Sequence, residues 1–175
     1  MTTMHELEQA IEDWAGSFEA TPRGASEPLR MSPESVTLHR AGDFGSEWLW
    51  FITCDSSTHP EQGQWAWTGV ATSDDSGRWS AHGIEGGSGH PLVTRVPWVN
   101  LGGQFLEDGF RAGGWVEDAG RHIAAVRVSD RNGVVLDDDV ENHVVLFRSD
   151  RPVALPVTIH LIDETGAIAA TECWP

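Results

Sequence analysis

Apolar positions along this chain follow two rhythms. Near the start they recur at Met4, Leu7, Ile11, Trp14 and Phe18, a spacing of three and four that draws one stripe along an α-helix. Glu8, Glu12 and Asp13 occupy the other side. The run Thr3-Met4-His5-Glu6 has the form of a capping box, in which a hydroxyl and a carboxylate satisfy the free amides of a first helical turn. The pattern predicts a helix within residues 1–20. Residues 21–33 hold Pro22, Gly24, Pro28 and Pro33 without any period and read as a linker.

From residue 34 onward the period becomes two. Residues 35–39, 47–54, 65–72, 78–84, 92–99, 110–116, 122–128, 134–138, 143–147, 153–162 and 167–173 alternate as strands do. In 47–54 both faces are apolar, with Trp48, Trp50 and Ile52 on one and Leu49 and Phe51 on the other, which predicts a central strand. Turns are marked by Asp74-Asp75-Ser76-Gly77, Asp130-Arg131-Asn132-Gly133 and Asp163-Glu164-Thr165-Gly166. Residues 85–90 read as a glycine-rich loop, and Pro97 makes 92–99 an edge or bulged strand. About ten short strands at this spacing predict an all-β fold. The expectation is an antiparallel β-sandwich or partly open barrel over residues 34–175, with one N-terminal amphipathic helix.

Charge narrows the choice of partner. The 175 residues carry 27 acidic against 11 basic side chains, all of them Arg, for a net charge of −16. Phosphate backbones and anionic membranes need a positive face, so neither is expected to bind. A basic protein partner is. Two surfaces present themselves. One is the helix stripe Leu7, Ile11 and Trp14, which either packs on the β domain or docks a partner; its acidic flank argues against a membrane anchor. The other is Asp137-Asp138-Asp139 beside Glu141 and Asn142, a solvated acidic turn or a patch for an Arg-rich partner. That turn lacks the loop spacing of a calcium site.

Tryptophan is the compositional oddity, with nine residues and no Tyr. Trp48 with Trp50, and Trp65 with Trp67, are i, i+2 pairs, so each pair shares a face of its strand. On neighbouring strands the four form an aromatic wall. Facing solvent it would stack a glycan or another flat ligand; facing inward it fills a core. His82, Glu85 and His90 flank the glycine-rich stretch and are the candidate metal ligands, although their spacing matches no established helix or hairpin site. No phosphate loop and no nucleophile elbow occurs, and no cofactor is expected. Cys54 and Cys173 read as free thiols unless their strand ends meet. The opening residues carry no basic and apolar leader, so a soluble, cytoplasmic chain is expected.

Residues 114–130, then Asn132-Gly133-Val134-Val135-Leu136, then residues 140–147 resemble a β-rich domain of uncharacterised, membrane-anchored actinobacterial proteins. In those a val-x-val strand, an asp-gly turn and a val-x-asn-gly step precede a final hairpin. The likeness is best over residues 110–172 and implies a β fold and a bacterial setting, with no catalytic residues to carry over. The chain departs from the pattern at His143, where glycine is usual, and at Leu146-Phe147-Arg148. Together these features predict a non-catalytic interaction module with an acidic surface. The alternatives are a tryptophan-faced small-ligand binder and a small metal-dependent enzyme.

Overall fold

The computed structural model describes residues 4–91 and 93–175; Thr3, and with it the capping box, and Leu92 lie outside the described residues. The chain forms two compact units, Met1–Pro91 and Leu92–Pro175. That boundary falls inside the stretch 34–175, because a period of two marks strands without saying which sheet each one joins. The fold is all-β. Among the described residues there are thirteen strands in four antiparallel sheets, none closed into a barrel, and one α-helix.

In the first unit, α1 (Met4–Ser17) is followed by a short hairpin of β1 (Glu19–Ala20) and β2 (Leu29–Arg30). A four-stranded sheet then runs β3 (Thr37–Asp43), β4 (Trp48–Cys54), β5 (Gln64–Ser73) and β6 (Trp79–His90), neighbours in sequence order. The apolar stripe of α1 lies on this sheet. Leu7, Ala10, Ile11 and Ala15 are buried in one cluster with Trp50, Ile52, Cys54, Ala71 and Ala81. Burying a side chain such as Leu7 or Ile11 contributes about 1.5–3 kcal/mol, which far exceeds the intrinsic helix propensity of a 14-residue segment. The linker is also held: Leu29 and Met31 join the same cluster, and Ser32 N donates to Asp55 O at 3.0 Å. As expected of a strand apolar on both faces, β4 is an inner strand, and Leu49, Phe51 and Thr53 are buried as well.

The second unit is a sandwich of two sheets. One has the order β11 (Val144–Ser149), β8 (Gly109–Glu117), β7 (Trp98–Leu106). The other has the order β10 (Val135–Asp139), β9 (Ile123–Asp130), β12 (Val157–Asp163), β13 (Ile168–Trp174). Alternate residues meet between them: Val99, Phe110, Ala112, Val116, Val145 and Phe147 from the first sheet, Val126, Val128, Val157, Ile159 and Leu161 from the second. Sheet packing of this kind rests on the strict inward and outward alternation of each strand.

Two local expectations need correction. Residues 85–90 are the second half of strand β6, in register with β5 through Glu85↔Thr68, Gly86↔Trp67 and Gly87↔Ala66. Residues 93–97 form no strand, and Val93 and Val96 are exposed; the strand starts at Trp98, directly after Pro97, and runs through Leu106. Proline has no amide to give to a ladder, so pairing begins beyond it. No helix among the described residues is long and apolar enough to cross a membrane.

Candidate functional site

The structure places the predicted site residues in three different situations. Trp48, Trp50, Trp65 and Trp67 do lie on one face of adjacent strands, since Trp50 pairs with Gly69, Ile52 with Trp67 and Cys54 with Trp65. That face is covered by α1. Trp14 approaches Trp50 and Trp67 with ring centroids 5.2 and 5.4 Å away, and Phe18 lies 4.8 Å from Trp67. Trp50 is fully buried; Trp48, Trp65 and Trp67 are half-buried. The wall and the stripe Leu7, Ile11 and Trp14 thus pack on each other, in place of the ligand-stacking face considered for the first and the partner-docking face considered for the second.

Three glycines make room for these rings. A Cβ at Gly69 would sit 2.0 Å from Trp50, one at Gly83 2.4 Å from Trp14 and one at Gly86 2.1 Å from Trp67. Each ring lies against bare backbone of β5 or β6, so Gly83 and Gly86 serve packing within a strand. Cys54 belongs to the same core, with Sγ 3.5 Å from Met31 Sδ. Burial, helped by the charge of Asp55, pushes its thiol up to about 12. Cys173 is exposed, and both cysteines are free.

His82, Glu85 and His90 do not converge. Their partners on β5 are Val70, Thr68 and Gln64, which spreads His82 and His90 about 20 Å apart at ~3.3 Å per strand residue. Among the described residues no group of three His, Cys, Asp or Glu side chains is arranged to hold a metal. His90 instead stands beside Phe51, 6.4 Å between centroids, and burial together with nearby His39 lowers its pKa to about 4. Asp137, Asp138 and Asp139 share strand β10, but two of them serve the fold. Asp137 forms an ion pair with Arg127 at 2.6 Å, and Asp138 accepts the Leu146 amide at 2.7 Å.

One recess in the second unit was not anticipated from the sequence. At one end of the sandwich lies an open bowl of about 490 Å³, lined by Val116, Asp118, His122, Ile123, Ala124, Val140, Asn142, His143 and Glu164. It gathers the end of β8, the start of β9, the β10–β11 turn and the β12–β13 hairpin. Of the four non-glycine residues with positive φ among the described residues, His122 at 52°, Asn142 at 51° and His143 at 64° line the bowl, and Ala119 at 50° follows its lining residue Asp118. Such backbone costs an L-residue about 1–2 kcal/mol.

The two turns explain why the chain adopts it. Arg121 N donates to Asp118 O at 3.0 Å around Ala119 and Gly120. Glu141 and Val144 exchange two backbone bonds, of 3.1 and 2.8 Å, around Asn142 and His143. Both are two-residue turns whose central residues are left-handed, the form that fits the twist of antiparallel strands.

His143 is fixed by its neighbours. Its ring stacks on Trp115, with centroids 5.0 Å apart and planes 14° apart, and its Nδ1 lies 3.2 Å from Val116 O. A carbonyl only accepts, so Nδ1 is the donor of this bond. Asp118 Oδ1 takes the Gly120 amide at 2.8 Å. Beside Glu164 in the chain, Asp163 has its carboxyl lowered by the Thr165 hydroxyl and the Ala167 amide, with a smaller part from the charge of Arg121. The bowl thus brings two carboxylates and a side-chain amide together with the apolar Val116, Ile123 and Val140. The signal for it in the sequence was His143 at a turn position that favours glycine. Compared with known proteins, the chain matches no family model, no curated protein and no solved structure.

Proposed function

We propose that this protein is a non-catalytic interaction module that holds a basic segment of a partner in the bowl of its second unit. The observation that carries this reading is the bowl itself. Asp118, Glu164 and Asn142 gather oxygen atoms around it, and His122, Asn142 and His143 line it with left-handed backbone. Strain of this kind persists where surrounding structure fixes it, and it concentrates at ligand-binding positions. The net charge of −16 favours the same class of partner by long-range attraction.

The test is a nuclear magnetic resonance titration of the full chain with two peptides of equal length, one basic and one acidic. The basic peptide is expected to shift amides of residues 116–124, 140–143 and 164, with shifts that fade at high salt. Shifts confined to β10, or equal shifts with the acidic peptide, would rule the bowl out as the binding surface.

A further inference from the structure

We infer that the bowl selects an arginine side chain over a lysine, which rests on the reading of the bowl as the binding site. Its volume, about 490 Å³, is far more than an ammonium group fills, and its floor is apolar, built from Val116, Ile123 and Val140. A three-carbon stem lies well on such a floor while its charged head stays at the polar rim. The lining carries the carboxylates of Asp118 and Glu164. A guanidinium, with five donors in a planar fork, satisfies several at once; an ammonium has three donors and no plane.

The stack of His143 on Trp115 adds the second criterion. Two nearly parallel rings, 14° apart, make a flat platform, and His143 is exposed at its outer end. The bond from Nδ1 to Val116 O holds that ring in place before any ligand arrives. A planar cation gains from an aromatic face in a way that a tetrahedral one does not. Charge is drawn by the carboxylates and shape is read by the ring.

The experiment compares three peptides that differ at one central residue, arginine, lysine or citrulline, in calorimetric titrations of the full chain. The arginine peptide is expected to bind best. Citrulline keeps the plane and loses the charge, and is expected to bind about tenfold more weakly, the loss of one charge-assisted contact. Lysine keeps the charge and loses the plane, and is expected to fall several-fold. Glu164→Gln, on an exposed hairpin, should lower arginine affinity without changing Tm, and His143→Asn, which tolerates left-handed backbone, should narrow the arginine–lysine gap. Equal affinity for arginine and lysine, or a citrulline peptide as good as arginine, overturns the inference and leaves the bowl as a binding site. Failure of all three peptides to bind overturns both.

Discussion

Glu172 on edge strand β13 accepts the backbone N–H of Val99 on edge strand β7, with Oε1 3.1 Å from the nitrogen. Glu172 pairs with Ile159, so its side chain points between the sheets of the second unit. Asp138 on edge strand β10 does the same on the opposite side, taking the Leu146 amide of edge strand β11 at 2.7 Å. Each open side of the sandwich is closed by one inward carboxylate. Inward charges on edge strands also discourage further strand addition.

This arrangement predicts opposite outcomes for two substitutions. Burial raises the Glu172 carboxyl above its ordinary range, and the Val99 amide only partly offsets it. A raised folded value means the fold prefers the protonated acid, so ionised Glu172 works against stability at neutral pH and the deficit closes as pH falls through the folded value. Glu172→Gln keeps an oxygen acceptor without the charge and is expected to be at least as stable as the parent at pH 7. Glu172→Ala leaves the Val99 amide without that acceptor and is expected to cost about 1–3 kcal/mol. Urea unfolding midpoints of the two variants check both; a glutamine variant as weak as the alanine one would disprove the role assigned to the oxygen.

The seating of indoles on bare backbone makes Gly69 one of the most sensitive positions in the first unit. Gly69→Ala would place its Cβ 2.0 Å from the ring of fully buried Trp50. Overpacking of this sort costs about 1–3 kcal/mol, and the upper end is expected because strand backbone cannot yield. Gly87→Ala is the control, since a Cβ there meets nothing within 4 Å. Replacing Trp50 by Leu in the Gly69→Ala background should recover part of the loss. Thermal melts read all three, and a silent Gly69→Ala would show that the ring is not seated as described.

Three hairpins share one device and predict an acid limb. Asp74, Asp130 and Asp163 each accept amides two and four residues ahead, at distances from 2.8 to 3.0 Å, and a glycine in left-handed conformation stands three residues ahead. Asp74 is lowered first by the Ser76 hydroxyl and then by the Arg78 amide, Asp163 likewise by Thr165 and Ala167. For Asp130, burial pushes upward but the amides of Ala154, Val134 and Asn132 outweigh it. Depressed folded values mean that the unfolded chain takes up protons first. The contribution of these carboxylates is whole at neutral pH and is lost as pH falls below about 4. His90 adds an earlier slope, because the unfolded imidazole protonates near 6.5 and the folded one only near 4. Stability should therefore decline from pH 6.5 downward and steepen below 4, with Asp130→Asn flattening the lower part. Chemical denaturation across that range is the measurement.

Thiol reactivity gives the simplest check on the first core. Burial holds Cys54 as a thiol with a pKa near 12, whereas Cys173 is exposed. Native protein is expected to titrate one thiol with an aromatic disulfide reagent and denatured protein two. Two fast native thiols would mean that β4 is open to solvent.

Much of the architecture was legible because it follows from local chemistry. The spacing of Leu7, Ile11 and Trp14 announces a helix, the alternation of Val157, Ile159 and Leu161 a strand, and each Asp-x-x-Gly run its hairpin, since an aspartate can only bracket a turn it sits in. The second half of strand β6 was not legible. Glycine is a poor strand former, and Gly86 makes sense in one only once the ring of Trp67 is seen lying on it.

Taken alone, the order of residues settled that this is an all-β chain with one amphipathic helix, strongly acidic and rich in indoles, because period, turn chemistry and charge are properties of neighbours along the chain. Which sheet each strand joins, which way the Trp50 and Trp67 rings face, and that Asp118, Asn142, His143 and Glu164 share one recess were decided only in three dimensions. The reason is physical: burial and convergence are set by partners tens of residues away, and a pattern of period two is the same whether a face meets solvent, a helix or a second sheet.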